Sequence, residues 1–86
     1  KKGGHKELYS EIYEALRLFL SDKYGVSLYE LTTNEILKKT GANYAKEILL
    51  TCDLVKFGNY IPSDNECRKI VEDALKIIEE NKGELS

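Results

Sequence analysis

The sequence predicts an all-α protein, a compact bundle of three longer helices plus one short helix. Apolar residues recur at spacings of three and four, as on one face of a helix. Each such stretch is followed by a glycine, the residue that most readily closes a helix. No stretch alternates strictly between apolar and polar residues over more than a few positions, so no substantial sheet is predicted. The four glycines that follow these stretches are Gly25, Gly41, Gly58 and Gly83.

The first helix is predicted from about Lys6 to Tyr24. Gly25 followed by Val26 predicts a Schellman ending, in which Val26 folds back onto the last turn. The inner face is expected to be one stripe, widened by an alanine and flanked by two tyrosines. These residues are Leu8, Ile12, Leu16, Phe19 and Leu20, then Ala15, then Tyr9 and Tyr13.

A linker over residues 27–31 is predicted to lead into the short helix. Thr32 and Glu35 have the spacing of a capping box, in which each side chain bonds to the other residue's backbone N–H. The helix is predicted to run from there to about Thr40 and to stop at Gly41.

The third helix is predicted from Asn43 to near Phe57, before Gly58. Leu54 and Phe57 are expected at the edge of its inner face, within reach of the core. The inner face itself should hold Ala45, Ile48, Leu49, Cys52 and Val55. Residues 58–62 form a loop by composition.

The fourth helix is predicted to begin with a second capping box, Ser63 to Glu66, and to fade around residues 81–83. Its apolar stripe follows the spacing i, i+3, i+4, i+7, i+8 and i+11. The stripe comprises Cys67, Ile70, Val71, Ala74, Leu75 and Ile78.

The chain has 86 residues and fits one domain. Because it contains no methionine, even at position 1, we expect it to be cut from a longer protein. Residues 1–5 are expected to be a flexible lead-in or linker, residues 6–82 the helical domain and residues 83–86 a tail. The longest uncharged apolar runs are a few residues long, whereas a membrane-spanning helix needs about 20, so no span is predicted within this fragment.

No catalytic site, metal site or cofactor is predicted. Cys52 and Cys67 fall on apolar stripes, where a cysteine packs as a small hydrophobe, and the only histidine is His5 near the start of the chain. A metal site or a catalytic triad needs several converging ligands. The protein is therefore interpreted as not an enzyme. A redox role of Cys67, in the first turn of a helix, is the third hypothesis.

Residues 35–47 have the outline of a helix–turn–helix, which makes a nucleic-acid-binding domain the second hypothesis. The first polar residues of its second helix would be Asn43, Tyr44, Lys46 and Glu47, of which only Lys46 is basic. The formal net charge of the chain is −2. Since phosphate neutralisation supplies much of the affinity for DNA, nucleic acid is not the expected partner.

A protein partner is the first hypothesis. Tyrosine is enriched in binding surfaces because it combines a large contact area with a polar tip. Most of the six tyrosines are expected at the edge of the core. Phe57 and Tyr60, at the loop over residues 58–62, are the best candidates for an exposed partner contact.

The order of elements resembles the C-terminal region of BatD-like aerotolerance proteins, which are membrane-anchored proteins of the bacterial envelope. The resemblance covers roughly residues 8–78. The residues that carry it are Tyr9 to Leu20 (YSEIYEALRLFL), Asp22-Lys23-Tyr24-Gly25-Val26-Ser27, Leu31-Thr32, and Asp53-Leu54-Val55-Lys56-Phe57-Gly58-Asn59-Tyr60.

The resemblance implies a non-catalytic interaction or assembly module of a larger protein, on the cytoplasmic side of the bacterial inner membrane. It implies protein partners and no catalytic residues. Lys1 and Lys2 suit the cytoplasmic side of a membrane helix that would precede them.

Overall fold

The computed structural model of the protein describes residues 2–82. This part of the chain contains four α-helices. They are α1 (Lys2–Tyr24), α2 (Thr33–Thr40), α3 (Lys46–Phe57) and α4 (Asp64–Lys82), with one 3₁₀ turn at Asn43–Ala45. The prediction of an all-α bundle with three longer helices and one short helix is confirmed, and residues 2–82 contain no strand. The predicted tail, with the helix end at Gly83, lies outside the described residues.

Helix α1 begins at Lys2 rather than at the predicted Lys6, so residues 2–5 continue the helix instead of forming a separate lead-in. Gly3 and Gly4 each disfavour a helix by about 1 kcal/mol relative to alanine. Adding one turn to an existing helix incurs no second nucleation cost, so the poor local propensity is the only conformational cost that the extension has beyond an ordinary helical turn.

The core lies where α1 packs against α3 and α4. The predicted stripe of α1 is confirmed in Ile12, Leu16 and Leu20, which are buried. Two parts of the prediction are wrong: Tyr9 and Tyr13 are core residues rather than flanks, and Ala15 is exposed. A helix that contacts two neighbours buries two adjacent strips, and the tyrosines occupy the second one.

The predicted helix ends are confirmed where the capping residues lie close together in the sequence. Gly25 adopts φ 66°, and the Val26 N–H donates to the Ser21 carbonyl at 3.2 Å, which is the long bond of a Schellman motif. Both capping boxes form, at Thr32–Glu35 and at Ser63–Glu66. At the end of α3, however, Gly58 has φ −98°, and Asn59 takes the left-handed conformation at φ 61°.

The linker between α1 and α2 contributes to the core, which the sequence pattern did not indicate. Leu28 is buried, and the Arg17 guanidinium donates to the Tyr29 carbonyl at 2.7 Å. Arg17 also pairs with Glu14 on α1. The guanidinium therefore fastens the linker to the helix that precedes it.

Helix α4 runs parallel to α1. Tyr9 lies beside Cys67 near the start of α4, and the Lys23 ammonium donates to the Asn81 carbonyl near its end, at 3.0 Å. In the predicted stripe Ile70 and Ala74 are buried, and Cys67, Val71 and Ile78 are half-buried. Leu75 is exposed, contrary to the prediction, and Ile77 packs against the core in its place.

Candidate interaction surface

Helix α3 is apolar on two opposite sides. Its inner side is buried as predicted, at Ile48, Leu49, Cys52 and Val55, and Ala45 is buried in the 3₁₀ turn that precedes it. Its outer side carries Leu50, Leu54 and Phe57, which we call the α3 row; they have the spacing i, i+4 and i+7 that aligns side chains along one face. Leu54 is 56% exposed and Phe57 is 75% exposed, so the expectation that they reach the core is wrong. The core has no free side left for them, since α1 and α4 already cover the inner face.

Two shallow depressions lie beside the α3 row and share Leu50 and Leu54 as their common wall. The first has a volume of about 350 Å³ and lies between α3 and α4. It is lined by Glu47, Ile48, Leu50, Thr51, Leu54, Lys69, Ile70 and Asp73. The second, of about 470 Å³, is lined by Leu50, Asp53, Leu54, Phe57 and Gly58. The row is thus an apolar ridge that the first depression borders and the second overlaps, since Leu50, Leu54 and Phe57 all line the second.

The charges that line the two depressions are mostly negative. They comprise three carboxylates, on Glu47, Asp53 and Asp73, and one ammonium, on Lys69. Lys69 lies 3.3 Å from Asp73, an exposed pair of the kind that contributes little to stability. The lining therefore carries a formal excess of two negative charges around an apolar ridge.

Tyr60, the second predicted contact residue, is exposed but is held in place by the first turn of α4. Its hydroxyl donates to the Glu66 carboxylate, at 2.8 Å and 2.7 Å from the two oxygens. This bond lowers the pKa of Glu66 and raises the pKa of Tyr60, because it stabilises the carboxylate and the neutral phenol. Phe57 lines the second depression and Tyr60 does not. Beside Tyr60 lies Ile61, which is exposed and was missed because a loop has no apolar period to reveal it.

A polar cluster lies on the other flank of α3, at the start of α2. The Tyr13 hydroxyl lies 2.6 Å from the Thr33 hydroxyl, which donates to Asp53 at 2.7 Å. The Lys56 ammonium lies 4.0 Å from the centre of the Tyr13 ring and 5.1 Å from that of Phe57. A depression of about 480 Å³ opens over this cluster, with Arg17 also in its lining.

The polar cluster is best explained as a brace between helices. Asp53 places a carboxylate beside the N-terminal end of α2, where the helix dipole favours negative charge. Lys56 contacts both Tyr13 on α1 and Phe57 on the α3 row, as a cation over aromatic faces. The cluster therefore links α1, α2 and α3 and helps to orient Phe57.

The two cysteines differ in their surroundings. Cys52 is buried, and burial raises the pKa of its thiol to about 12, so the thiol is protonated at neutral pH. Cys67 is half-buried and lies beside Tyr9, whose pKa is raised mainly by burial. Both thiols are free. Cys52 thus lacks the thiolate that nucleophilic chemistry requires.

Residues 2–82 hold no group of three or more His, Cys, Asp or Glu side chains that could bind a metal ion. His5, the one histidine, is half-buried in α1. No helix in the described part of the chain is both long enough and apolar enough to cross a membrane.

The helix–turn–helix outline is present only in part. Asn43 and Tyr44 lie in the 3₁₀ turn rather than at the start of the second helix. Lys46 and Glu47 form the exposed first turn of α3. Beyond that turn, the outer side of α3 is the apolar row.

Comparisons with known proteins return no similarity: no protein-family model matches the chain, and no curated protein or solved structure is significantly similar to it.

Proposed function

We propose that this protein is a non-catalytic interaction or assembly module and that a segment of a partner protein docks on the α3 row. The observation that supports this most directly is the exposure of Leu50, Leu54 and Phe57 in line on one helix. Single exposed apolar residues are common on protein surfaces, whereas contiguous apolar patches mark binding sites. Burying a side chain such as Leu54 or Phe57 on binding stabilises a complex by about 1.5–3 kcal/mol.

The row favours a protein partner over nucleic acid. In a helix–turn–helix reader, the exposed face of the second helix meets bases and phosphates. Here that face would present the leucines and Phe57, with Glu47 and Asp53 beside them. Carboxylates repel phosphate, and no basic residue of α3 lies in the depressions' lining.

The wider setting of the proposal comes from the resemblance to BatD-like aerotolerance proteins. On this view the chain is a domain of a larger, membrane-anchored bacterial envelope protein and lies on the cytoplasmic side of the inner membrane. The partners would then be other proteins at that membrane. Protease protection of this domain in inverted and right-side-out vesicles of the parent protein tests the orientation: cleavage in right-side-out vesicles would contradict it.

The test of the docking surface uses Leu54→Asp and Phe57→Asp, with Leu18→Asp as the matched control. Leu18 is 64% exposed on α1 and lies outside the lining of the depressions, so it matches Leu54 in exposure and chemistry. A photo-crosslinker is placed at position 50, the crosslinked protein is identified and purified, and its affinity for each variant is measured. Each row variant should weaken binding at least about 10-fold, which is 1.4 kcal/mol.

The Leu18→Asp variant should bind like the wild type. All three changes lie on exposed helix positions, so each should alter the free energy of unfolding by less than about 1 kcal/mol. Equal affinities of the row variants and the wild type for the purified partner would contradict the proposal.

A further inference from the structure

We infer that the segment docking on the α3 row is an amphipathic α-helix whose apolar stripe is bordered on both sides by lysine or arginine. This inference rests on the proposed function and specifies its partner. Shape and charge support it independently.

The shape of the surface fits a helix. Leu50, Leu54 and Phe57 form a ridge along α3, and the depression between α3 and α4 runs beside it, with the well-packed Ile48 and Ile70 in its lining. Helices pack by placing the side-chain ridges of one into the grooves of another. A helix with apolar residues at i, i+3, i+4 and i+7 fills such a groove, whereas a peptide that binds as a β-strand needs an exposed strand to pair with. The described chain, from residue 2 to residue 82, offers no strand.

The charges beside the ridge favour a docked helix that has basic residues along both borders of its apolar stripe. Glu47 and Asp73 line the depression on the α4 side of the ridge, and Asp53 lies on the α2 side, where it accepts a hydrogen bond from Thr33. Glu47 and Asp53 therefore flank the apolar ridge on opposite sides, and Asp73 adds a third carboxylate that is already paired to Lys69 at 3.3 Å. The Lys56 ammonium lies 5.1 Å from the centre of the Phe57 ring, at one end of the ridge. A docked helix would place its flanking residues over these carboxylates. Lysine and arginine can lay their apolar stems along the ridge and extend their charges to the rim.

The experiment uses the whole 86-residue chain, labelled with ¹⁵N, and two synthetic helical peptides of about 18 residues, long enough to be helical in water. Both peptides carry the same leucine stripe. One has lysine at every flanking position, and the other has glutamate. Amide chemical shifts locate the binding site, and titration gives the dissociation constants at low and high salt.

The lysine-flanked peptide should shift the amides of Leu50, Leu54 and Phe57 and bind at least about 10-fold more tightly than the glutamate-flanked peptide at about 50 mM salt. The preference should shrink at 1 M salt, where the screening length falls to about 3 Å. Glu47→Lys should reduce it, whereas Glu11→Lys, an exposed change of the same charge on α1, should leave it unchanged.

Equal affinities of the two peptides, or tighter binding of the glutamate-flanked one, would overturn the inference about charge. Failure of both peptides to shift the row amides would overturn the inference of a helix. In each case the proposed function still stands if the crosslinked natural partner is lost on Leu54→Asp. A wild-type chain that dimerises in ultracentrifugation, and becomes monomeric on Phe57→Asp, would show a second copy as the occupant and overturn the inference.

Discussion

At the scale of single residues, Thr33 connects three helices through its one hydroxyl group. It is the buried polar residue at the start of α2, and its hydroxyl joins Tyr13 on α1 to Asp53 on α3. Because Thr33 donates to Asp53, its oxygen is left to accept from Tyr13. One hydroxyl therefore satisfies a buried phenol and fixes a carboxylate, and a buried donor without a partner would be costly.

Thr33→Val keeps the shape of the side chain and removes both hydrogen bonds. We expect it to lower the free energy of unfolding by about 1–3 kcal/mol, since the Tyr13 hydroxyl is left buried without its partner. Tyr13→Phe removes that hydroxyl and should cost about 1 kcal/mol. In the double variant no unsatisfied phenol remains, so the loss should be smaller than the sum of the two single losses. Urea unfolding of the four proteins measures this cycle, and additive losses would refute the shared network.

At the scale of elements, the helix ends show what a sequence can predict. The two capping boxes and the Gly25 ending depend on residues three to five positions apart, so their sequence signal is complete. The ending of α3 was predicted less well. Gly58 stands where a left-handed glycine was expected, but a side chain there would lie 2.9 Å from the Leu54 carbonyl oxygen. The close approach explains the glycine, and Asn59 makes the turn.

Asn59 therefore allows a test in which the order of stability of a glycine and an alanine variant reverses between two positions. At φ 61° an alanine is strained by about 1–2 kcal/mol, whereas a glycine is not. We expect Asn59→Gly to be more stable than Asn59→Ala by about 1 kcal/mol. At Asn34, inside α2, the order should invert, because alanine favours a helix by about 1 kcal/mol over glycine. Thermal unfolding of the four variants gives the comparison. The same order at both positions would rule out the left-handed turn.

The interaction surface could be predicted only in part. Phe57 was identified as exposed because it borders a loop. Leu50 and Leu54 were not identified, since α3 is apolar on both sides and its periodicity does not reveal which side the other helices cover. The burial of Tyr9 and Tyr13 was missed for a related reason. An apolar stripe in the sequence indicates the contact of a helix with one neighbouring helix, whereas α1 contacts two.

At the scale of the whole molecule, buried ionisable groups set the response to alkali. Burial raises the pKa of Tyr9, Tyr13 and Cys52, with the pKa of Cys52 moving to about 12. Each of these groups is neutral in the folded chain and ionises more readily when unfolded. Their contribution to stability is thus complete below their unfolded pKa values, about 9 for the cysteine and 10 for the tyrosines, and is lost as the pH rises through the folded values.

Between pH 7 and 8 these groups should accordingly change the free energy of unfolding little. Above pH 9 their ionisation should make it fall steeply. Urea titrations at steps of pH measure the slope. Cys52→Ala should lower stability at every pH, because it leaves a cavity. It should also make the decline between pH 9 and 10 shallower, since one of the ionising groups is gone. An unchanged slope would contradict the raised pKa of Cys52.

The parallel arrangement of α1 and α4 has a consequence for how the chain reaches its fold during synthesis. The Lys23–Asn81 bond joins positions 58 residues apart, and Tyr9 and Cys67 have the same separation. These partners of α1 lie on α4 and are synthesised after α1, α2 and α3. Until α4 has been synthesised, Tyr9 lacks its neighbour Cys67. The core of the nascent protein then consists only of the contacts among α1, α2 and α3. Completion of the core is therefore a late event, and closing so long a loop slows it further.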